Sequence, residues 1–139
     1  IRDYYASRGL GDVYKRQSWN FSNDVPIYLQ IMEHFKVQIA SGKLEVGDKI
    51  PPVRELALEA GVNPNTMQKA LSELEREGYL ESQRTSGRFV ADRGKQIDRL
   101  KQDMALELCE SFYNGMKKIG FTPEEAIAEY KEYISRIEE

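Results

Sequence analysis

The side chains best suited to chemistry cluster at the start of one short segment, PNTMQKALSELERE, at residues 64–77. Its apolar residues recur at intervals of three and four, which predicts a helix with one buried face: Met67, Ala70, Leu71 and Leu74. The opposite face carries side chains that donate or accept hydrogen bonds: Asn65, Thr66, Gln68, Lys69 and Ser72. Such a face suits recognition of a polar partner rather than the making or breaking of bonds.

The composition argues against catalytic and metal sites. The chain has one cysteine, Cys109, and one histidine, His34, so neither a Cys/His metal site nor a disulfide framework can be assembled within one chain. No nucleophile with a base and no glycine-rich phosphate loop is present to build a catalytic constellation. No apolar run is long enough to span a membrane. We therefore expect a cytoplasmic protein that is not an enzyme, needs no cofactor or metal, and has no membrane partner.

The first seventeen residues, IRDYYASRGLGDVYKRQ, show no apolar periodicity and differ in style from the rest of the chain. The run DVYKRQ can be back-translated as GAT GTG TAT AAG AGA CAG, which resembles a transposase mosaic-end adapter read in frame. We interpret residues 1–17 as a non-native, adapter-derived segment. The alternative interpretation is a native N-terminal arm.

The net charge of the chain bears on whether it can bind nucleic acid. The chain carries 20 basic and 23 acidic side chains, which gives a net charge of -3 at pH 7. Binding to phosphates depends on lysine and arginine, so this charge does not favour nonspecific coating of nucleic acid. Recognition of nucleic acid would have to come from the local placement of positive side chains.

Two further helices and a hairpin are predicted around residues 64–77. Apolar residues four apart predict a helix over residues 27–40: Ile27, Ile31, Phe35 and Ile39. The turn-rich stretch LEVGDKIPP follows, and a short second helix is predicted from Val53 to Gly61. For the third helix, Asn63 is a favoured N-cap, Pro64 suits the first position and Gly78 ends it.

Two short β-compatible runs, YLESQ and RFVA, follow the third helix around a turn that contains Gly87. Three helices and a hairpin predict a mainly α fold with a small β-wing, a winged helix-turn-helix domain over residues 18–91. In such a motif the second helix lies in the major groove of DNA, where Asn, Gln, Thr and Lys can read base edges. Arg84 and Arg88 of the hairpin could enter the minor groove, and Arg54 could meet a phosphate.

The stretches PIYLQI and SGKLEVGDKIPPVRELALEAGVNPNTMQKALSELEREGYLESQRTSGRFV together resemble the DNA-binding head of GntR-family bacterial transcription regulators over residues 26–90. The resemblance implies that Arg54, Asn65 and Thr66 and the tip of the wing lie at DNA. Many members carry arginine where this chain has Pro64, and the NPNT sequence resembles the YtrA-type branch. The full candidate set of DNA-binding residues is Arg54, Asn63, Asn65, Thr66, Gln68, Lys69, Arg84, Thr85, Ser86, Gly87 and Arg88.

Residues 92–139 are predicted to form two amphipathic helices without strands. The first runs from about Gly94 to Lys118, and the second follows Thr122, which forms a predicted capping box with Glu125. Two such helices cannot bury their apolar faces alone, so we expect a symmetric homodimer. The candidate dimerisation residues are Ile97, Leu100, Met104, Leu108, Phe112, Ile127, Tyr130 and Ile134. This two-helix tail is similar to the YtrA-type dimerisation segment.

The predicted function is that of a sequence-specific regulator that binds an inverted-repeat operator in double-stranded DNA as a homodimer. The YtrA-type resemblance implies a repressor, often of ABC-transporter genes, that is nucleoid-associated when bound to its operator. No small-molecule effector can be named from the sequence. The alternative hypothesis is a winged-helix module for protein interaction that does not bind DNA, which the negative net charge would suit.

Overall fold

The computed structural model describes residues 19–138, so the interpretation of residues 1–17 lies outside the described residues. The regular elements follow the predicted order: α1 Ile27–Ala40, α2 Val53–Ala60, α3 Pro64–Arg76, β1 Leu80–Gln83, β2 Gly87–Val90, α4 Gly94–Lys118 and α5 Pro123–Ile137. The mainly α fold with a small β-wing is thus confirmed. No helix in this part of the chain combines the length and apolar character needed to cross a membrane.

The chain divides into two compact units between residues 98 and 99. We call residues 19–98 the head and residues 99–138 the tail. The division lies further along the chain than the predicted boundary at residues 91 and 92, because the first turn of α4 packs on the head. Ile97 contacts the head core, and the Gln96 amide donates a hydrogen bond to the Glu77 carbonyl at 2.6 Å.

The head core is assembled from α1, α2 and α3, the loop between α1 and α2, and both strands. The four apolar residues predicted for the buried face of α3 each have 0% exposure, which confirms that face. Opposite them lie large side chains of the other elements: Ile31, Phe35, Ile39, Leu44, Ile50, Leu56, Leu80 and Val90. Burial of each large apolar side chain stabilises the head by about 1.5–3 kcal/mol relative to exposure.

A tight turn joins α2 to α3 and thereby sets the direction of α3. Gly61 ends α2 in the left-handed region with φ +69°, a conformation that favours glycine. The Asn63 side chain then accepts a hydrogen bond from the Asn65 amide at 2.8 Å, as an N-cap does. Pro64 occupies the first helical position, where its missing N–H costs nothing. The predicted cap and first position are confirmed.

The wing is an antiparallel pair in which Leu80 lies opposite Val90 and Ser82 lies opposite Arg88. A segment of the loop before α2 joins the free side of β2 through an isolated bridge between Lys49 and Phe89. The Ile50 amide donates to the Arg88 carbonyl and the Val90 amide donates to the Asp48 carbonyl, both at 2.9 Å. This third segment covers one edge of the wing and has no counterpart among the elements predicted from the sequence.

The tail consists of most of α4, the turn after it, and α5. The predicted capping box is confirmed, because the Glu125 amide donates to Thr122 Oγ1 at 3.2 Å and the Thr122 amide donates to Glu125 Oε1 at 3.0 Å. As hydrogen-bond partners of the Glu125 carboxylate, the Thr122 amide first and the Thr122 hydroxyl second hold the pKa of Glu125 below its usual value. The rings of Phe112 and Tyr130 meet edge to face with centroids 6.0 Å apart, so α4 and α5 contact each other within the tail.

Candidate nucleic-acid interface

The start of α3 presents polar side chains to solvent as predicted. Asn65 is exposed and Thr66 is half-buried, directly after the cap at Asn63. The Asn63 carboxamide oxygen already accepts from the Asn65 amide, so this side chain serves the helix end first. Its NH2 group keeps its capacity to donate. The first turn of α3 therefore offers amide and hydroxyl groups that can both donate and accept hydrogen bonds.

Two candidates further along α3 have partners inside the head. Gln68 Nε2 donates to Ser72 Oγ at 3.0 Å. Lys69 Nζ lies 4.0 Å from the centre of the Tyr28 ring on α1, within the range of a cation–π interaction. Both Gln68 and Lys69 are exposed, so each can exchange its present partner for an external one.

Arg54 lies in the first turn of α2 and is exposed. Its side chain makes no hydrogen bond or ion pair with any other residue between 19 and 138. The N-cap position is Pro52, and no side chain caps the first turn. The combination of open amides at a helix start and a guanidinium beside them suits an anion such as a phosphate.

The wing turn carries the remaining exposed candidates: Arg84, Thr85, Ser86 and Gly87. The Ser86 amide donates to the Gln83 carbonyl at 3.2 Å, which closes the turn. Gly87 has φ +103°, and a Cβ there would lie 3.4 Å from Lys49 Cε. Lys49 is exposed and brings a second positive charge to the turn that holds Arg84.

Lys49 is not among the DNA-binding residues predicted from the sequence. Its position beside the wing results from the bridge to Phe89, which joins residues far apart in the chain. No local periodicity or motif around residue 49 carries that information. A lysine in the stretch LEVGDKIPP reads as an ordinary loop residue.

Arg88 is separated from the other wing candidates. Its side chain is 18% exposed, and its Nε donates to Glu75 Oε1 of α3 at 3.1 Å. The same carboxylate oxygen accepts from Ser82 Oγ at 2.5 Å. The hydrogen bond from Ser82, followed by the hydrogen bond and charge of Arg88, holds the pKa of Glu75 below its usual value against the opposing effect of burial. The structure thus places Arg88 against α3 rather than at the turn.

Comparison with known proteins identifies the family to which this fold belongs. The family model described as "Bacterial regulatory proteins, gntR family" matches residues 27–90. The HTH-type transcriptional regulator YhcF of Bacillus subtilis is 40% identical over 113 residues, which cover 81% of this chain and 93% of YhcF. The chain belongs to the GntR family.

Two more GntR-type relatives match most of their own length. The HTH-type transcriptional repressor YtrA of Bacillus subtilis is 35% identical over 101 residues, 68% of this chain and 78% of YtrA. A GntR family transcriptional regulator from Listeria monocytogenes has a solved structure that superposes with a TM-score of 0.73 at 38% identity, over 81% of this chain and 98% of its own. These relatives are transcriptional regulators and not enzymes, and the same class describes this chain.

The candidate dimerisation residues of this GntR-family chain differ in exposure. Ile97 packs on the head core, and Leu100 is buried. Met104 and Ile134 are half-buried. The remaining four are exposed: Leu108, Phe112, Ile127 and Tyr130. These four are therefore the members of the set that a second chain could cover.

No group of three or more His, Cys, Asp or Glu residues between 19 and 138 is placed to hold a metal ion. Cys109 is exposed on α4 and His34 stacks on the Trp19 ring with centroids 4.0 Å apart. What the described part of the chain offers instead is a set of hydrogen-bonding and positive side chains on α2, α3 and the wing.

Proposed function

We propose that this GntR-family regulator binds an inverted-repeat operator in double-stranded DNA as a homodimer and represses transcription. The observation that carries the proposal is the exposed polar start of α3. The turn at Gly61 and the cap at Asn63 fix where this helix begins, and its opposite face is fully buried in the head core. A helix with this surface fits the major groove, whose base edges offer donors and acceptors in a pattern specific to sequence.

In this proposal α3 is the recognition helix and each candidate has a defined role. Asn65 and Thr66 meet base edges, with Gln68 and Lys69 beside them and Asn63 at the helix end. Arg54 binds a phosphate at the start of α2, which fixes the register of α3 without reading sequence. Pro64 contributes no donor, so recognition depends on the side chains that follow it.

The wing would contact the DNA next to the recognition helix. Arg84 enters or borders the minor groove, where the negative potential attracts arginine. Thr85, Ser86 and Gly87 allow the backbone of the turn to approach closely. We add Lys49 to the predicted contacts, since it shares the surface of the turn and can meet a phosphate.

Homodimer formation is proposed for the tail. Large apolar side chains are exposed on both α4 and α5, and monomeric proteins rarely leave contiguous apolar patches of that kind uncovered. A second copy presents the same apolar surface, as a two-fold interface requires. The two recognition helices would then meet half-sites about one helical turn apart, roughly 34 Å, or a multiple of it.

The repressor assignment is supported by the 35% identity to the repressor YtrA. Control of ABC-transporter genes, which the YtrA-type resemblance implies, belongs to the same proposal, as does action on DNA at the nucleoid. The negative net charge favours one competing function, a protein-interaction module.

Selection of duplexes from a random-core library by the purified full chain, at two salt concentrations, tests the proposal. We expect an inverted repeat to be enriched at both salt concentrations. Retention of duplexes without a shared motif would contradict sequence-specific recognition. An absence of any retention at low salt would contradict DNA binding and favour the protein-interaction module.

A further inference from the structure

One carboxylate joins the recognition helix to both strands of the wing. Glu75 Oε1 accepts from Ser82 Oγ on β1 and from Arg88 Nε on β2. Ser82 and Arg88 lie directly opposite each other in the register of the hairpin. Glu75 therefore contacts one cross-strand pair of the wing, so that it can hold both strands at once.

The neighbouring carboxylates of α3 do not reach the wing. Glu73 pairs with Arg76 on the same helix at 2.6 Å, and Glu77 pairs with Lys36 on α1 at 3.0 Å. Among the acidic residues in the run ELERE, Glu75 is thus the one that faces the hairpin. The opposite edge of β2 is held by backbone hydrogen bonds to residues 48 and 50.

The surroundings of Arg88 argue against a direct role at DNA. Its side chain is only 18% exposed, whereas Arg84 lies exposed in the turn. If Arg88 left Glu75 for a phosphate, the carboxylate would keep only Ser82 as a partner. It would also face the negative DNA without its countercharge, which is unfavourable.

We propose that Glu75 is a positioning residue that fixes the wing against the recognition helix, and that Arg88 acts through Glu75 rather than at the DNA. The inference rests on the proposed function, because the angle of the wing matters when α3 and the turn meet DNA together. Charge-assisted hydrogen bonds are stronger and more directional than neutral ones, so this pair suits the task. Arg84 and Lys49 then remain the cations of the wing that contact phosphate or groove.

The test compares matched variants of the full chain, each shown to be folded by circular dichroism. Glu75→Gln and Glu73→Gln each remove one negative charge from α3, but Glu75→Gln alone removes one that reaches the wing. Arg88→Ala and Arg84→Ala each remove one positive charge from the wing. The exchange variant Glu75→Arg/Arg88→Glu restores an ion pair with reversed polarity and places a carboxylate where the arginine stood.

The first readout needs no DNA. Hydrogen exchange of residues 80–90 is expected to be roughly tenfold faster in Glu75→Gln and in Arg88→Ala than in the wild type. Glu73→Gln is expected to leave it unchanged, and the exchange variant is expected to restore protection. Equal protection of the wing in all variants would overturn the proposal, whatever the protein binds.

The second readout is affinity for the selected operator at several salt concentrations. Glu75→Gln and Arg88→Ala are expected to bind roughly tenfold more weakly with an unchanged salt slope, and the double variant Glu75→Gln/Arg88→Ala no more weakly than either. Arg84→Ala is expected to reduce the salt slope by about one. A reduced slope in Arg88→Ala, with no rescue by the exchange variant, would show a phosphate contact and overturn the proposal. If the wild type bound no duplex at all, the proposed function would fail, while hydrogen exchange would still decide whether Glu75 holds the wing.

Discussion

The head and the tail are built from the same kind of amphipathic helix, but only the head completes its core. Met67, Leu71 and Leu74 on α3 are 0% exposed. In the tail, Leu108 is 71% exposed and Ile119 is 69% exposed. Helical periodicity is equally clear in both, so an apolar stripe alone does not show whether one chain can cover it.

The difference suggests a division of labour between the two units. The head has a finished core and can hold its polar and positive side chains in fixed positions. The tail exposes large apolar side chains on both of its helices and in the turn between them: Leu106, Leu108, Phe112, Tyr113, Ile119, Ile127, Tyr130, Tyr133 and Ile137. In our proposal the head reads DNA and the tail pairs with a second copy.

The largest expected effect contrasts one leucine of each unit. Leu71→Ala leaves a cavity in the finished core and should lower the free energy of unfolding of the head by about 2–5 kcal/mol. Leu108→Ala removes a side chain that is already exposed in a single chain, so it should weaken dimerisation without that loss in the head. The free energy of unfolding of the head is measured by chemical denaturation, followed through the fluorescence of Trp19, which packs on the head core. An equal loss of head stability in Leu71→Ala and Leu108→Ala would contradict the contrast between a buried head core and an exposed tail surface.

The next prediction separates pairing from folding. Leu108→Glu/Ile127→Glu places charges at exposed apolar positions of α4 and α5, which are 71% and 54% exposed, and should convert a dimer into a monomer in sedimentation velocity. Affinity for the two-half-site operator should fall by about 100-fold or more, because the second half-site is no longer bound by a linked head. Leu58→Glu is the control for the oligomeric state, since Leu58 is 86% exposed but lies on α2 of the head. A monomeric wild type at micromolar concentration would contradict the role of the tail.

Within the head, base readout and phosphate contact can be distinguished. Asn65→Ala and Thr66→Ala should each reduce operator affinity by about 1–3 kcal/mol and leave binding to unrelated duplexes unchanged. Arg54→Ala and Lys49→Ala should weaken binding to all duplexes and lower the salt slope by about one each. Fluorescence anisotropy at several salt concentrations measures both quantities. A changed base preference in Arg54→Ala, with an unchanged slope, would reverse the assignment.

The smallest expected effect is a pH dependence of head stability. The hydrogen bonds from Ser82 and Arg88 hold the pKa of folded Glu75 below the usual 4.5. The unfolded chain therefore binds the proton first as the pH falls, so this contribution is complete above that value and disappears at lower pH. The stability difference between wild type and Glu75→Gln should shrink on acidification below about pH 4 in urea unfolding experiments. If the stability difference between wild type and Glu75→Gln stayed constant down to pH 2, the ionised Glu75 carboxylate would not be what joins α3 to the wing.

The helices and their caps were predictable because the relevant information is local. Asn63 and Pro64 act on amides within the first turn of α3, and Thr122 and Glu125 bond each other across three residues. Gly78 ends α3 with the Tyr79 amide donating back to the Leu74 carbonyl. Each of these helix ends depends on residues at fixed short spacings, so it can be predicted from the sequence alone.

The surroundings of the wing could not be predicted in the same way. Arg88 meets Glu75 only because the hairpin folds back on α3 in a register that sets Ser82 opposite Arg88. Lys49 reaches the turn only through its bridge to Phe89. The sequence therefore predicts the polar face of α3, but it groups Arg88 with Arg84 as a minor-groove candidate and does not single out Lys49. The DNA roles of these residues remain predictions.

The most direct test of the division between head and tail is the stoichiometry of the full chain on its selected operator duplex, measured by native mass spectrometry. We predict two chains per duplex for the wild type, with Leu108→Glu/Ile127→Glu forming at low concentration mainly complexes of one chain per duplex. Saturation of the two-half-site duplex by a single wild-type chain, or equal stoichiometry profiles for wild type and variant, would contradict the account.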